Sequence, residues 1–227
     1  MLIFEKRRAA AAAAIALTIA MCGTGMGLTA AAARPRTAAA IVIDAGHGGI
    51  DAGVCGVNTG VKESDINLAI AKRLRSRFAG AGMDCVMTRT TGAGLYGSTA
   101  KGFKMRDMQK RRQIIEDCDA SMVISIHQNT CALPSRRGSH VFFDKDSAGG
   151  RELALSIQSR MNALYGGECD NSALAGDYYM LKCTSEPSVI VECGFLSNAE
   201  DEKLLSDPQY IERVADAIFS GVIYYLA

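Results

Sequence analysis

From residue 38 onward, short apolar runs alternate with longer amphipathic stretches, and that alternation restricts the fold more than any other feature of the chain. Ile41, Val42 and Ile43 make a buried strand that ends in a glycine-rich turn. Ser64 stands where it would cap a helix running to about Gly80, with Ile66, Leu68, Ile70, Leu74 and Phe78 forming its apolar stripe. Gly82 stops that helix, 83–88 reads as a second strand, 92–102 as a loop and 103–117 as a basic helix. Further strands are expected at 122–126 and 139–143, and Ser147 opens a helix to about Leu164. A loop then runs to Asp177, and 178–182 and 188–191 read as short strands. The last helix starts near Pro208, a residue suited to a first helical turn, and ends near Leu226. No internal repeat and no second boundary interrupt the pattern. The expectation is one three-layer α/β domain over 40–227, with a central mixed β-sheet flanked by helices; the 48% of apolar residues suffices for its core.

Residues 1–33 are a different kind of sequence. Lys6, Arg7 and Arg8 precede an uncharged run over 9–33 that closes on four alanines. Two readings fit: a cleaved signal peptide, or an N-terminal membrane anchor through 9–33. A lipoprotein reading of Cys22 is disfavoured, because Met21 occupies a place that wants a small residue. Residues 34–39 read as a linker. Positive charge ahead of the run places the rest of the chain outside the cytoplasm, at the cell wall or the membrane. Export favours disulfides, yet the seven cysteines after Cys22 are odd in number and include no C-x-x-C pair, so mostly free thiols are expected. A net charge of +1 gives no basis for nucleic-acid binding. The absence of Trp excludes a Trp-built sugar platform and leaves Tyr for that task.

Two of the three histidines stand at the carboxyl ends of expected strands, where open α/β sheets leave a crevice. His47 lies in Asp44-Ala45-Gly46-His47-Gly48-Gly49, where glycines let the backbone approach a bound group; His127 follows Ile126. Glu63 precedes Ser64 at a helix entrance, and Glu192 ends the strand containing Val191. Hydrolytic zinc commonly takes two His and one Glu and keeps a fourth position open for water. A further carboxylate must then move the proton to the leaving group. Each residue also has an ordinary reading. A single His after a strand is more often core or loop, and a Glu at a helix entrance stabilises the helix dipole. A carboxylate at the end of an apolar strand is harder to explain that way, because a charge beside a core needs a partner. Their joint placement favours a metal site.

Three segments, Ile43 with the Asp44 motif above, Ser125-Ile126-His127-Gln128-Asn129 and Val191-Glu192-Cys193-Gly194-Phe195-Leu196-Ser197-Asn198, resemble the zinc-dependent N-acetylmuramoyl-L-alanine amidases of the amidase 3 family. The resemblance covers about 38–227 and implies one zinc ion held by His47, Glu63 and His127, with Glu192 as the catalytic carboxylate. It implies hydrolysis of the amide between N-acetylmuramic acid and L-alanine in peptidoglycan, and makes 40–227 the catalytic domain. Arg89 and Arg111 match recurrent arginines whose role stays open. Ala45 and Thr130 depart from the commoner Pro and Ala. Cys193 follows the catalytic Glu and should point away from the site. Ser98-Thr99-Ala100-Lys101-Gly102-Phe103 looks like the compact germination-type amidases of spore formers, which act on spore cortex. An accessory protein is compatible with that resemblance, although the sequence does not identify one. Two other readings stand beside it: a zinc peptidase acting on the stem peptide, and a non-catalytic wall-binding module of the same fold.

Overall fold

All five residues of the first strand, β1 (Ile41–Ala45), are buried, the mark of a strand covered on both faces. The computed structural model describes residues 40–227, so the expectations for 1–33 and 34–39 lie outside the described residues. β1 lies between β2 (Cys85–Met87) and β3 (Met122–Asn129), parallel to both. β6 (Ser188–Phe195) continues the parallel set beside β3. β4 (His140–Phe143) runs antiparallel to β6, and the two-residue β5 (Leu174–Ala175) closes the order β2-β1-β3-β6-β4-β5. The sheet is therefore mixed, in a single α/β domain.

Helix α1 (Glu63–Gly80) connects β1 to β2, and α2 (Phe103–Asp117) carries the chain back across to β3. The two crossovers travel in opposite directions along the sheet, so right-handedness places their helices on opposite faces. On one face Ile43, Ile124, Ile126 and Val191 pack with Leu74 and Phe78 of α1. Helices α3 (Ala148–Asn162) and α5 (Pro208–Leu226) complete that core through Leu153, Ile157, Val214 and Ile218. The other face is a thinner layer, where Val42, Val123 and Ile190 meet Ile115 of α2 and Met180 and Leu181 of a short 3-10 turn. The alternation along each strand sends neighbouring residues into different cores.

Several local expectations are corrected. Ser64 does not cap α1: Lys62 is the capping residue, without a side-chain hydrogen bond. Backbone carbonyls of Val54 and Ala52 instead accept the amides of Glu63 and Ser64. Residues 178–182 are not a strand. Tyr179–Lys182 is a 3-10 turn, with Met180 and Leu181 both buried. β3 and β6 extend through His127 and Glu192 rather than ending before them. The sequence reading also passed over α4 (Ala199–Leu205), which Asn198 caps by accepting from the amides of Glu200 and Asp201. Ser147 and Pro208 open their helices as expected. All seven cysteines among the described residues are unpaired.

Candidate metal centre

The turn after β1 carries His47 in a left-handed conformation, φ 61°, which non-glycine residues seldom adopt. Two buried arginines hold it there. Arg111 donates from Nη1 to the Ala45 carbonyl at 2.8 Å and from Nη2 to the His47 carbonyl at 2.7 Å. Arg89 donates from Nε to the Ala45 carbonyl at 2.8 Å and from Nη2 to those of Gly46 and Ser64 at 2.9 and 2.7 Å. The open question of these arginines thus has a structural answer: they clamp the carbonyls of the turn. Arg111 also bonds Asp44 at 2.6 Å, and Asp44 accepts from the Thr88 and Ser125 hydroxyls at the same distance. Burial by itself would raise the Asp44 carboxyl, but Arg111 and the two hydroxyls outweigh it and bring it down to about 2.

Glu63 opens α1 and turns its carboxylate inward. Oε2 accepts from the Val54 amide at 2.9 Å, and Oε1 from the Gln128 amide at 3.1 Å and from Asn67 Nδ2 at 3.3 Å. Two imidazole nitrogens approach the same oxygen: His47 Nε2 at 3.2 Å and His127 Nδ1 at 2.9 Å. One ligating atom from each of the three residues lies within 4.8 Å of the other two, so the group can hold a metal ion. Tetrahedral zinc with bonds of about 2.1 Å separates its ligand atoms by about 3.4 Å, which suits this set. On the outer side, His47 Nδ1 lies 2.9 Å from Asp51 Oδ2. A carboxylate there keeps the proton on Nδ1 and leaves the Nε2 lone pair to a metal. Gly53 has φ 70°, and a Cβ there would collide with the Glu63 carboxylate. The residues present therefore fit the ion. Burial would raise the Glu63 carboxyl, but the two histidines hold it far below the usual carboxylate range.

The parallel register of β3 and β6 sets Glu192 beside His127, which puts both side chains on the thin-layer face. Burial pushes the Glu192 carboxyl up to about 7, and its Oε2 is buried without a hydrogen-bond partner. His47, His127 and Glu192 line one cleft of about 290 Å³, together with Lys104, Met108, Tyr178 and Tyr179. Cys193, next in sequence, is fully buried in the opposite core. All four residues singled out from the sequence thus gather at the carboxyl ends of β1, β3 and β6.

A family model described as N-acetylmuramoyl-L-alanine amidase matches residues 41–224. The chain belongs to this amidase family. It is 30% identical over 196 residues to the germination-specific N-acetylmuramoyl-L-alanine amidase of Bacillus subtilis, covering 84% of this chain and 81% of that one. The amidase AmiA of Escherichia coli is 28% identical over 229 residues, covering 82% and 75% of the two chains. Among solved structures, the CwlD amidase of Clostridioides difficile, determined in complex with the GerS lipoprotein, superposes with a TM-score of 0.79 at 35% identity. That match covers 83% of this chain and 98% of CwlD.

Sequence reasoning gave no steadying role to Asp51, Gly53, Asn67 or Gln128, although Gln128 stands in the motif around His127. Asp51 follows His47 by four residues and Asn67 follows Glu63 by four. The second spacing is the only local signal, since it places both side chains on one face of a helix.

Proposed function

We propose that the chain is a zinc-dependent amidase that hydrolyses the bond between N-acetylmuramic acid and L-alanine in peptidoglycan. In this reading His47, Glu63 and His127 hold one zinc ion and Glu192 is the proton-transferring carboxylate. Family membership and the germination-type relatives support the reaction. The observation that carries the site assignment is the unpartnered, buried oxygen of Glu192, on the same sheet face as His127 and in a cleft that His47 also lines.

When bound, zinc supplies Lewis acidity that polarises a carbonyl and makes water reactive near neutral pH. Glu192, with a carboxyl near 7, is suited to both halves of the proton traffic. It accepts a proton from the water that attacks the lactyl carbonyl, and returns it to the alanine nitrogen as the carbon–nitrogen bond breaks. Asp51 fixes the His47 ring, and the arginine clamp fixes the turn that carries it. Tyr178 and Tyr179, both partly exposed at the cleft, supply aromatic surface for the sugar.

The germination-specific relative supports spore cortex as the wall concerned, and the complex of CwlD with the GerS lipoprotein supports an accessory protein; export rests on the charged start and uncharged run of residues 6–33. No helix among the described residues is long and apolar enough to cross a membrane. Residues 9–33, outside the described residues, would serve either as a cleaved signal peptide or as a membrane anchor.

Mass spectrometry of purified peptidoglycan digested with the zinc-loaded protein tests the reaction: free stem peptides beginning with L-alanine are expected. Cuts within the peptide would favour a peptidase, and an undigested wall would favour a binding module. Glu192→Gln should retain zinc and lose about 10²–10⁴-fold in turnover or more. Near-normal turnover with full zinc would assign the proton transfer to another group.

A further inference from the structure

The third histidine, His140, takes no part in the reaction as derived so far. It opens β4 directly opposite Glu192 of β6, and opposed residues of antiparallel strands share a face. Its ring lies against Phe142 and Phe195, with centroids 6.5 and 5.7 Å away, and only 4% of the residue is exposed.

Arg136 fixes its protonation. Arg136 Nη2 lies 2.8 Å from His140 Nε2. A guanidinium can only donate, so Nε2 must be the accepting nitrogen and the neutral ring carries its proton on Nδ1. Burial, and then the Arg136 charge, lower the basicity of the ring and keep it neutral. Nδ1 is buried with no acceptor, and Glu192 Oε2 is buried with no donor. A buried polar atom left unpaired costs about 1–3 kcal/mol, and a donor and an acceptor on cross-strand neighbours can each remove the other's cost.

We propose that His140 is a positioning residue for Glu192, donating from Nδ1 to Oε2 through one ordered water. This rests on the reading of Glu192 as the proton-transferring group. The bond would aim the carboxylate, leaving its other oxygen to the cleft, and would keep the acid from turning away from the amide.

The test compares His140→Leu, His140→Asn and Glu192→Gln in the full chain loaded with zinc. The Asn amide places a donor near the position of Nδ1, while both His140 variants lose the bond to Arg136. Their difference therefore isolates the donor. His140→Leu should lower kcat about ten- to a hundredfold, with KM within about twofold and zinc content unchanged, and His140→Asn should recover most of the loss. In the metal-free wild-type chain, ¹⁵N shifts should show His140 protonated on Nδ1. Wild-type kcat in His140→Leu, equal deficits in both variants, or a ring protonated on Nε2 would overturn the inference. Should His140→Leu fail to fold, the Asn variant and the ¹⁵N spectrum still decide. Undiminished turnover in Glu192→Gln would instead overturn the reading of Glu192, and the positioning role with it.

Discussion

A Cβ on Gly46 would run into the His127 ring at Cε1 and Nε2, well inside van der Waals contact. The position therefore sets how closely the turn after β1 can approach that imidazole, and hence where Nδ1 of His127 meets Glu63. Gly46→Ala should displace the ring and weaken zinc binding about tenfold or more, measured by competition with a chelator. An unchanged affinity would mean that the turn yields without moving His127. Cys193→Ala is the contrasting case. Its thiol sits in the large core, on the other side of the strand from Glu192, and burial raises its pKa far above the usual range. The substitution should cost about 1 kcal/mol of stability through lost packing, with zinc content retained and turnover lowered only modestly. Loss of zinc on that change would make the thiolate a ligand in place of Glu63. At this scale the sequence was most informative about residues at the ends of elements. His127 and Glu192 stand out because an imidazole or a charge follows an apolar run, His47 because glycines surround it, and Glu63 because it stands at a helix entrance. Asp51 and Gln128 act through contacts that only the folded chain creates.

The elements were legible where local chemistry decides them. Ser147 and Pro208 mark real helix starts, and 103–117 is a helix over the expected span. The errors fall where tertiary contacts override local signals. The loop carbonyls of Ala52 and Val54 replace a side-chain cap on α1, and the sheet face draws both Met180 and Leu181 down into a turn. The docking of α2 onto β1 also has a pH signature. Its centre is Asp44, which lies against Arg111, Ser125 and Thr88. The folded carboxyl sits at about 2 and the ordinary value is 3.8, so between those values the unfolded chain takes up a proton that the folded chain refuses. The stabilisation is thus present above about pH 4 and is lost as pH falls through about 2, worth about 2 kcal/mol in all. Denaturant melts from pH 5 to pH 2 should show wild type losing stability more steeply than Asp44→Asn. Parallel curves would mean that Asp44 is not held in its charged form.

The two faces of the sheet divide the work of the whole molecule. The face covered by α1, α3 and α5 carries most of the apolar packing, and the thinner face leaves room between α2 and the 3-10 turn for the cleft. Every residue assigned to chemistry lies between Gly46 and Glu192, at the carboxyl ends of the parallel strands. The first residues of the domain sit at the opposite ends of those strands. There the Ala40 carbonyl accepts from the Ser121 amide at 3.0 Å, and the Ile41 amide donates to the Asp84 carbonyl at 3.0 Å. These bonds tie the beginning of β1 to the turns before β2 and β3, so the domain is hydrogen-bonded from residue 40 onward. Residues 40–227 also belong to one compact unit. A chain beginning at Ala38 should therefore fold, stay soluble, bind zinc and cleave peptidoglycan at close to the full-length rate. A chain beginning at Ile43 should not, because it lacks both bonds as well as Ile41 and Val42, one from each core. Circular dichroism melts and wall digestion of the two truncations beside the full chain make the comparison. A melting temperature for the Ala38 chain more than about 8 °C below that of the full chain, a shift on the order of 2 kcal/mol or more for a domain of this size, would show that the N-terminal residues contribute to the folded domain.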